Sequence, residues 1–283
     1  MSGDIVIGDL ADLSTLISLF SKNKFDAVMH FASCIDVNES IQNPLKYYEN
    51  NVFCTLNLLK AMKKYDVKNL IFSSTAAIFG EPVYSPIDEI HQQKPINPYG
   101  QSKLMIENIL KDCNNAYGLK SVCLRYFNAA GADPDGELGE CHEPETHLIP
   151  LVLQAASGRR EDIKIFGNDY DTPDGSCIRD FIHVVDLCDA HLKALHALVG
   201  GMESKNFNLG NGNGFSVKEV ISVAEKVTGR KIKVKDENRR EGDPAILVAN
   251  SNAIKEELNW NPIYDELSTI IEHAWKWEKK NFL

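Results

Sequence analysis

The chain lacks any run of apolar residues long enough to span a bilayer, which takes about 20. Its opening, Met1-Ser2-Gly3-Asp4, has neither the basic nor the apolar stretch of a secretory signal. Positive charge is scarce as well: 30 Lys and Arg face 40 Asp and Glu, a net charge of -10, and the isoelectric point is near 5.3. A nucleic-acid footprint needs the opposite balance. Neither nucleic acid nor membrane is therefore expected as a partner, although a few local arginines can still serve an anionic ligand. The seven cysteines are an odd, scattered set without C-x-x-C, which fits reduced thiols in a cytoplasmic setting. Internal repeats and low-complexity tracts are missing too, which argues against solenoids and disordered linkers.

What is present is a chain of 283 residues, 43% hydrophobic and 25% charged, an ordinary globular balance. A chain of this size buries roughly 75% of its unfolded surface. Short apolar runs alternate with amphipathic stretches. Phe25-Asp-Ala-Val-Met-His-Phe31 reads as a buried parallel strand, without polar alternation. Pro44 to Lys64 reads as one long helix, with Pro in its first turn and apolar spacing through Val52, Leu56 and Leu59. Strand 69–74, helix 98–116 and strand 120–127 continue the rhythm. It predicts an α/β fold, a Rossmann-type doubly wound parallel sheet with right-handed crossovers. Ligands of such sheets gather at the carboxyl ends of strands, here His30-Phe31-Ala32, Ser73-Ser74-Thr75 and Tyr126-Phe127-Asn128.

Residues 129–147, rich in Gly, Pro and acids, read as a long ordered loop. Helix 148–158 and strand 162–166 follow. Strand 177–182 and helix 184–198 are expected to return to the sheet. Helix 216–228 and a final helix near 264–280 complete the chain. Residues 1–128 with 176–200 are thus expected to form the Rossmann domain, and 129–175 with 201–283 a smaller α/β substrate domain.

The most informative spacing is Tyr99-Gly-Gln-Ser-Lys103. A Tyr and a Lys four apart on a helix face the same way. The ammonium can lower the phenol's pKa, ordinarily near 10, so that the phenolate becomes a usable base. A hydroxyl at the end of a neighbouring strand, here Thr75, can bond the same substrate oxygen. That apparatus removes a proton from an alcohol while a nicotinamide takes its hydride.

Several segments resemble one family. Asn69-Leu-Ile-Phe-Ser-Ser-Thr75, Tyr99-x3-Lys103, Arg125-Tyr-Phe-Asn-Ala-Ala-Gly131 and Arg179-Asp-Phe-Ile-His-Val-Val-Asp186 are similar to extended short-chain dehydrogenase/reductases. His30-Phe-Ala32, Tyr47-Tyr-Glu-Asn-Asn-Val52, Ile165-Phe-Gly-Asn-Asp-Tyr170 and Arg239-Arg-Glu-Gly-Asp243 narrow the likeness to the branch that inverts carbon 4 of UDP-linked hexoses. The family's opening strand and G-x-x-G-x-x-G turn have no counterpart. The Gly210-Asn-Gly-Asn-Gly214 run lacks that spacing and reads as a turn between strand and helix. Roughly fifty family residues are missing ahead of Met1, more than one βα unit of a motif that takes about 30, so a mis-set start or a truncation is expected. In the usual strand order, loss of strands 1 and 2 leaves a gap of about 14 Å. Ile5-Val-Ile7, which looks like the family's third strand, should then be detached from the edge at 26–31, or repacked against it.

The resemblance implies an NAD-dependent interconversion of UDP-glucose and UDP-galactose through a 4-keto sugar. It implies Tyr99 as base, Lys103 as holder of the nicotinamide ribose and activator of Tyr99, and Thr75 as partner of the reacting oxygen. NAD positions carried over are Asp9, Leu10, Phe31, Ala32, Ser33, Cys34, Ile35, Asn50, Thr75, Tyr99, Lys103 and Phe127. Ile35 stands where relatives place a Lys. The UDP-sugar positions are Asn128, His147, Leu148, Lys164, Ile165, Phe166, Arg179, Arg240, Asp243 and Leu247. Arg179 and Arg240 suit a diphosphate, which a planar cation grips in bidentate fashion. A homodimer through helices 44–64 and 98–116 is also implied.

Blander readings compete: Arg179 with Asp180 as a structural ion pair, and Phe31, Phe127 and Phe166 as core. His183 reads as a packing or capping residue. Asp133, Asp135, Glu137, Glu140 and Glu143 read as a solvated acidic loop. Cys141-His-Glu-Pro-Glu-Thr-His147 looks metal-like, but its histidines are five apart and Pro144 breaks the helix that H-E-x-x-H needs, so no metal is assigned. A related dehydratase or decarboxylase is an alternative, although Ala76 and Ala77 offer no acid or base after Thr75. A non-catalytic nucleotide-sugar binder is another.

Overall fold

The computed structural model describes residues 3–240 and 243–283. Its elements in chain order begin with α1 (Leu13–Lys22), β1 (Val28–His30), α2 (Val37–Gln42), α3 (Pro44–Tyr47), a π-helical turn (Tyr48–Phe53) and α4 (Cys54–Lys64). Next come β2 (Asn69–Thr75), a 3₁₀ turn (Ala76–Phe79), α5 (Pro98–Tyr117), β3 (Lys120–Tyr126), β4 (Asn128–Ala130), α6 (Leu148–Ser157) and β5 (Ile163–Phe166). β6 (Ile178–His183), α7 (Val184–Val199), β7 (Lys205–Leu209), β8 (Gly214–Ser216), α8 (Val217–Thr228), β9 (Val234–Glu237), β10 (Ile246–Leu247), α9 (Asn252–Leu258) and α10 (Leu267–Phe282) follow.

Local chemistry explains the principal boundaries. Asp12 caps α1 by accepting from the amides of Ser14 and Thr15, and hydrogen bonds from those two residues hold its carboxyl down at about 2. Asn97 caps α5 through a 2.8 Å bond from the Gly100 amide, with Pro98 at the first helical position. α5 ends where Gly118 adopts a left-handed φ of 68°. Ser216 and Glu219 form a reciprocal capping box at the start of α8.

The chain forms two compact units. The first comprises the residues up to Ile78 with Gln93–Leu124 and Ala194–Asn206. Its sheet runs β1-β2-β3-β7, with β1 parallel to β2 in the register Val28 to Leu70 and His30 to Phe72. Leu16, Phe20, Leu58, Met62, Leu70, Phe72, Ile106 and Leu110 form its core. The second unit comprises Phe79–Gln92, Arg125–Lys193 and Phe207–Leu283. There β6 lies between β10 and β4, both parallel to it, and pairs β8 antiparallel, while β5 pairs β9. Ile149, Val152, Ile163, Ile165, Val220, Ile270 and Trp275 belong to its core.

Four expectations need comment. The helix over 44–64 is continuous but carries the π-helical turn at its centre. Strand 177–182 does form, yet it joins β4, β8 and β10 instead of returning to the first sheet. The loop expected from residue 129 begins within a short strand, β4. Ile5-Val-Ile7 carries no strand, and Ile5 and Ile7 are more than nine-tenths exposed, the detached outcome of the two foreseen.

Candidate active site

In the first unit, parallel pairing places the carboxyl ends of β1 and β2 side by side, at His30 and after Phe72. α5 lies along β2. Residues 99, 103 and 107 are spaced i, i+4, i+8, so Tyr99, Lys103 and Glu107 share one stripe of α5. Lys103 is 2% exposed. Its Nζ donates to the Ser73 carbonyl at 2.9 Å and lies 5.8 Å from the Tyr99 ring centre. The two side chains therefore share a face, as their spacing requires. Burial pushes the Lys103 pKa down to about 7. Ser74 Oγ donates to Glu107 Oε1 at 2.5 Å, tying α5 to β2 one turn further on. Thr75, 8% exposed, accepts the Ala77 amide on Oγ1 at 3.1 Å.

Gly100 is required between the two catalytic candidates. A Cβ there would lie 2.4 Å from the Ala77 carbonyl oxygen, so only glycine lets the first turn of α5 sit this close to the loop after β2.

Most of the expected NAD positions line these strand ends. Phe31 and Ile35 expose apolar surface, as a ligand site at the end of a parallel strand requires, and Asn50 is exposed. Leu10 packs against the core, and Asp9 accepts the Ala11 amide at 2.8 Å. The backbone of Cys34 is held at both ends by Asn51, whose Oδ1 accepts its amide at 2.8 Å and whose Nδ2 donates to its carbonyl at 3.1 Å. Asn51 Nδ2 also reaches Ser102 Oγ at 3.0 Å. Sequence reasoning missed Asn51, Ser102 and Glu107. A buried amide or acid inside a helix was the available signal. Phe127 belongs to the second unit. These residues fit an NAD-type dinucleotide: exposed apolar surface, a fixed loop and a buried lysine meet at the ends of β1 and β2.

The second unit holds a cavity of about 240 Å³. Asn128, His147, Leu148, Lys164, Phe166, Arg179, Arg240 and Asp243, eight of the ten positions expected to face substrate, line it. The side chain of Ile165 does not reach the lining: it is 4% exposed and sits in the core, because β5 alternates its side chains and Lys164 and Phe166 take the other face. Leu247, in β10 opposite Arg179, is likewise not part of the lining. Arg160, Cys177 and Val217 line it unforeseen. Glu241 and Gly242, from the 239–243 segment, lie outside the described residues.

Arg240 lies over the Phe166 ring, 3.6 Å from its centre, a cation–π contact between two residues of the cavity lining. Arg179 pairs with Asp243 and donates to the Ile178 carbonyl at 2.8 Å. An Arg179–Asp180 pair is thus replaced by one across 64 residues. Asp180 is fully buried and accepts the amides of Asn211, Gly212 and Ala249 at 2.7, 3.0 and 3.0 Å. Burial outweighs these bonds and raises its pKa to about 6. The glycine-rich run 210–214 therefore supplies amides to a carboxylate of the chain itself. Through Nδ1, His183 accepts the Val185 amide at the start of α7.

A parallel α/β unit with Tyr-x3-Lys beside its strand ends, joined in one chain to a cationic cavity, defines a short-chain dehydrogenase/reductase of the extended type. The chain belongs to the NAD dependent epimerase/dehydratase family, whose model matches residues 2–210. It is 54% identical over 274 residues to a UDP-glucose 4-epimerase of Halalkalibacterium halodurans, covering 97% of this chain and 82% of the relative. The structure resembles that of UDP-glucose 4-epimerase from Brucella ovis in complex with NAD at a TM-score of 0.94 and 47% identity, over 96% of this chain and 84% of the other. It also resembles the Bifidobacterium longum enzyme in complex with NAD+ and UDP at 0.93 and 40%, over 97% and 82%.

Proposed function

We propose that the chain interconverts UDP-glucose and UDP-galactose by inverting carbon 4 through a 4-keto sugar, with NAD as its cofactor. The observation that carries this reading is the buried Lys103, fixed to the Ser73 carbonyl at 2.9 Å and one helical turn from Tyr99. Tyr99 takes the proton of the 4-hydroxyl, and Thr75 bonds the same oxygen. The chemistry that NAD would supply there is reversible hydride acceptance from carbon 4, with return to the opposite face of the keto sugar. Phe31 to Ile35, Asn50 and Lys103 would hold it, with Asp9, Leu10 and Phe127 as further positions. Since the sugar must turn over between the two transfers, affinity has to come from the nucleotide. Arg179 and Arg240 grip the diphosphate, and Lys164, Phe166, Asn128, His147, Leu148 and Asp243 line the nucleotide side.

The first unit is then the NAD-binding part and the second the UDP-sugar part. Cytoplasmic residence fits the thiol usage. Among the described residues, no helix is long and apolar enough to cross a membrane. A homodimer through helices 44–64 and 98–116 is supported by apolar side chains exposed there, Leu45, Phe53 and Met105. Ala76 and Ala77, which carry no proton donor, argue against a dehydratase.

The test is Tyr99→Phe in an assay of UDP-galactose conversion. The rate should fall by about 10²- to 10⁴-fold, with NAD still released from the denatured variant. Interconversion at the parent rate would remove Tyr99 as the base.

A further inference from the structure

Two pairs of side chains two residues apart, Glu140 with His142 and Glu145 with His147, converge in the loop before α6. One donor atom from each lies within 4.8 Å of every other. In extended backbone, residues i and i+2 project from the same side, so the pattern E-x-H-x2-E-x-H can gather four ligands without a helix. The objection to H-E-x-x-H stands, because this stretch is not helical. It does not apply to a loop site.

The separations are close to those a small tetrahedral ion needs. Bonds of about 2.0–2.2 Å place tetrahedral ligand atoms about 3.3 Å apart. His147 Nδ1 lies 3.3 Å from Glu145 Oε1, and His142 Nδ1 lies 3.9 Å from that oxygen. The direct bond from His147 Nδ1 to Glu140, at 2.5 Å, would have to open, while Glu145 Oε1 also holds the amides of Thr146 and His147 at 2.7 and 2.8 Å.

Two further observations point to a missing cation. His142 Nδ1 is buried and has no hydrogen-bond partner, although it faces the cluster and burying a ring nitrogen unpaired is costly. The Glu145 side chain is only 6% exposed and Glu140 27%. Among the described residues no Lys or Arg pairs with either carboxylate: Glu140 meets His147 Nδ1, and Glu145 accepts the amides of Thr146 and His147 at 2.7 and 2.8 Å beside the two imidazoles.

We propose that Glu140, His142, Glu145 and His147 form a binding site for a divalent zinc-class ion, in which the metal closes this loop on itself up to the N-cap of α6. Two imidazoles with two carboxylates suit zinc and its neighbours, whereas calcium and magnesium prefer oxygen alone. His147 and Leu148 also line the nucleotide cavity, so the ion would steady that wall from behind.

The experiment uses the 283-residue chain stripped with chelator and titrated with Zn²⁺, and separately with Co²⁺, whose visible absorption reports tetrahedral ligation. One equivalent of Zn²⁺ should bind, excess Ca²⁺ should not displace it, and Tm should rise on binding. His142→Ala and Glu140→Gln, both at partly exposed positions, should keep the parent's circular dichroism and weaken Zn²⁺ binding at least 10-fold. Failure of the stripped parent to bind one equivalent at millimolar Zn²⁺ would overturn the proposal. So would unchanged affinity in both folded variants. None of these readouts depends on turnover, so the result is independent of the activity proposed above.

Discussion

Lys103 Nζ donates to the main-chain oxygen of Ser73 at 2.9 Å from a position 2% exposed to solvent. The strand next to the tyrosine thus fixes the ammonium proposed to activate it. Burial holds the folded Lys103 pKa near 7, against 10.5 for the free side chain. The folded state therefore binds fewer protons between those values. The resulting cost is fully present below pH 7 and fades as the pH rises towards 10.5.

Lys103→Met should accordingly lower the epimerisation rate by at least about 100-fold. It should also raise stability near pH 7 by about 2 kcal/mol after loss of the Ser73 bond. Urea unfolding at pH 7 and pH 10 checks the sign. The variant's advantage should shrink at the higher pH, and an advantage that grows would refute the argument.

Gly100→Ala should be among the most damaging small substitutions in the first unit. Its methyl would meet the Ala77 carbonyl oxygen at 2.4 Å, and relieving such an overlap costs about 1–3 kcal/mol. The move available is displacement of the first turn of α5, which carries Tyr99. Activity should fall at least 10-fold while α5 still forms, as read by circular dichroism beside the rate. Parent-like turnover would show that the contact can yield at no cost.

Arg240→Met keeps an apolar stem against Phe166, 3.6 Å from the guanidinium in the parent, and removes the charge. Loss of a charge-assisted bond to diphosphate is worth about 1.5–3 kcal/mol, so UDP affinity should drop roughly 10- to 100-fold. Calorimetric titration with UDP, set against uridine as a control lacking phosphate, separates a phosphate contact from a general distortion. An equal loss for both ligands would assign Arg240 to packing.

Asp180→Ala strands three main-chain amides, those of Asn211, Gly212 and Ala249. Each buried unpaired group costs about 1–3 kcal/mol. The urea midpoint should fall by an amount worth at least about 2 kcal/mol, with an unchanged slope. A loss below 0.5 kcal/mol would mean that water replaces the carboxylate.

What could be read ahead of the structure divides by range. Helices α5 and α8 were legible to within a residue or two because their signals are local: Asn97 and Pro98 before one, Ser216 and Glu219 at the other, Gly118 and Gly229 after them. The pairing of Tyr99 and Lys103 on one helix face was legible for the same reason, whereas Arg179 and Arg240 were expected only through the family resemblance. The burial of the Ile165 side chain could have been read from its own strand, since Ile-Lys-Ile-Phe alternates. The sheet that β6 joins could not be read, because its partners are strands of two and three residues far along the chain. Nor could the exchange of Asp180 for Asp243 as the partner of Arg179, which depends on amides from 211, 212 and 249 satisfying Asp180 first.

The π-helical turn at Tyr48–Phe53 has a consequence for how this chain tolerates change in length. Each residue of regular helix advances about 100°, so deleting one residue there would leave α4 gripping the core through Leu58 and Met62. Asn51 would swing about a quarter turn away from the Cys34 backbone. Such a deletion mutant should fold and melt much like its parent yet lose its grip on the dinucleotide, dissociating folding from cofactor retention through a single codon.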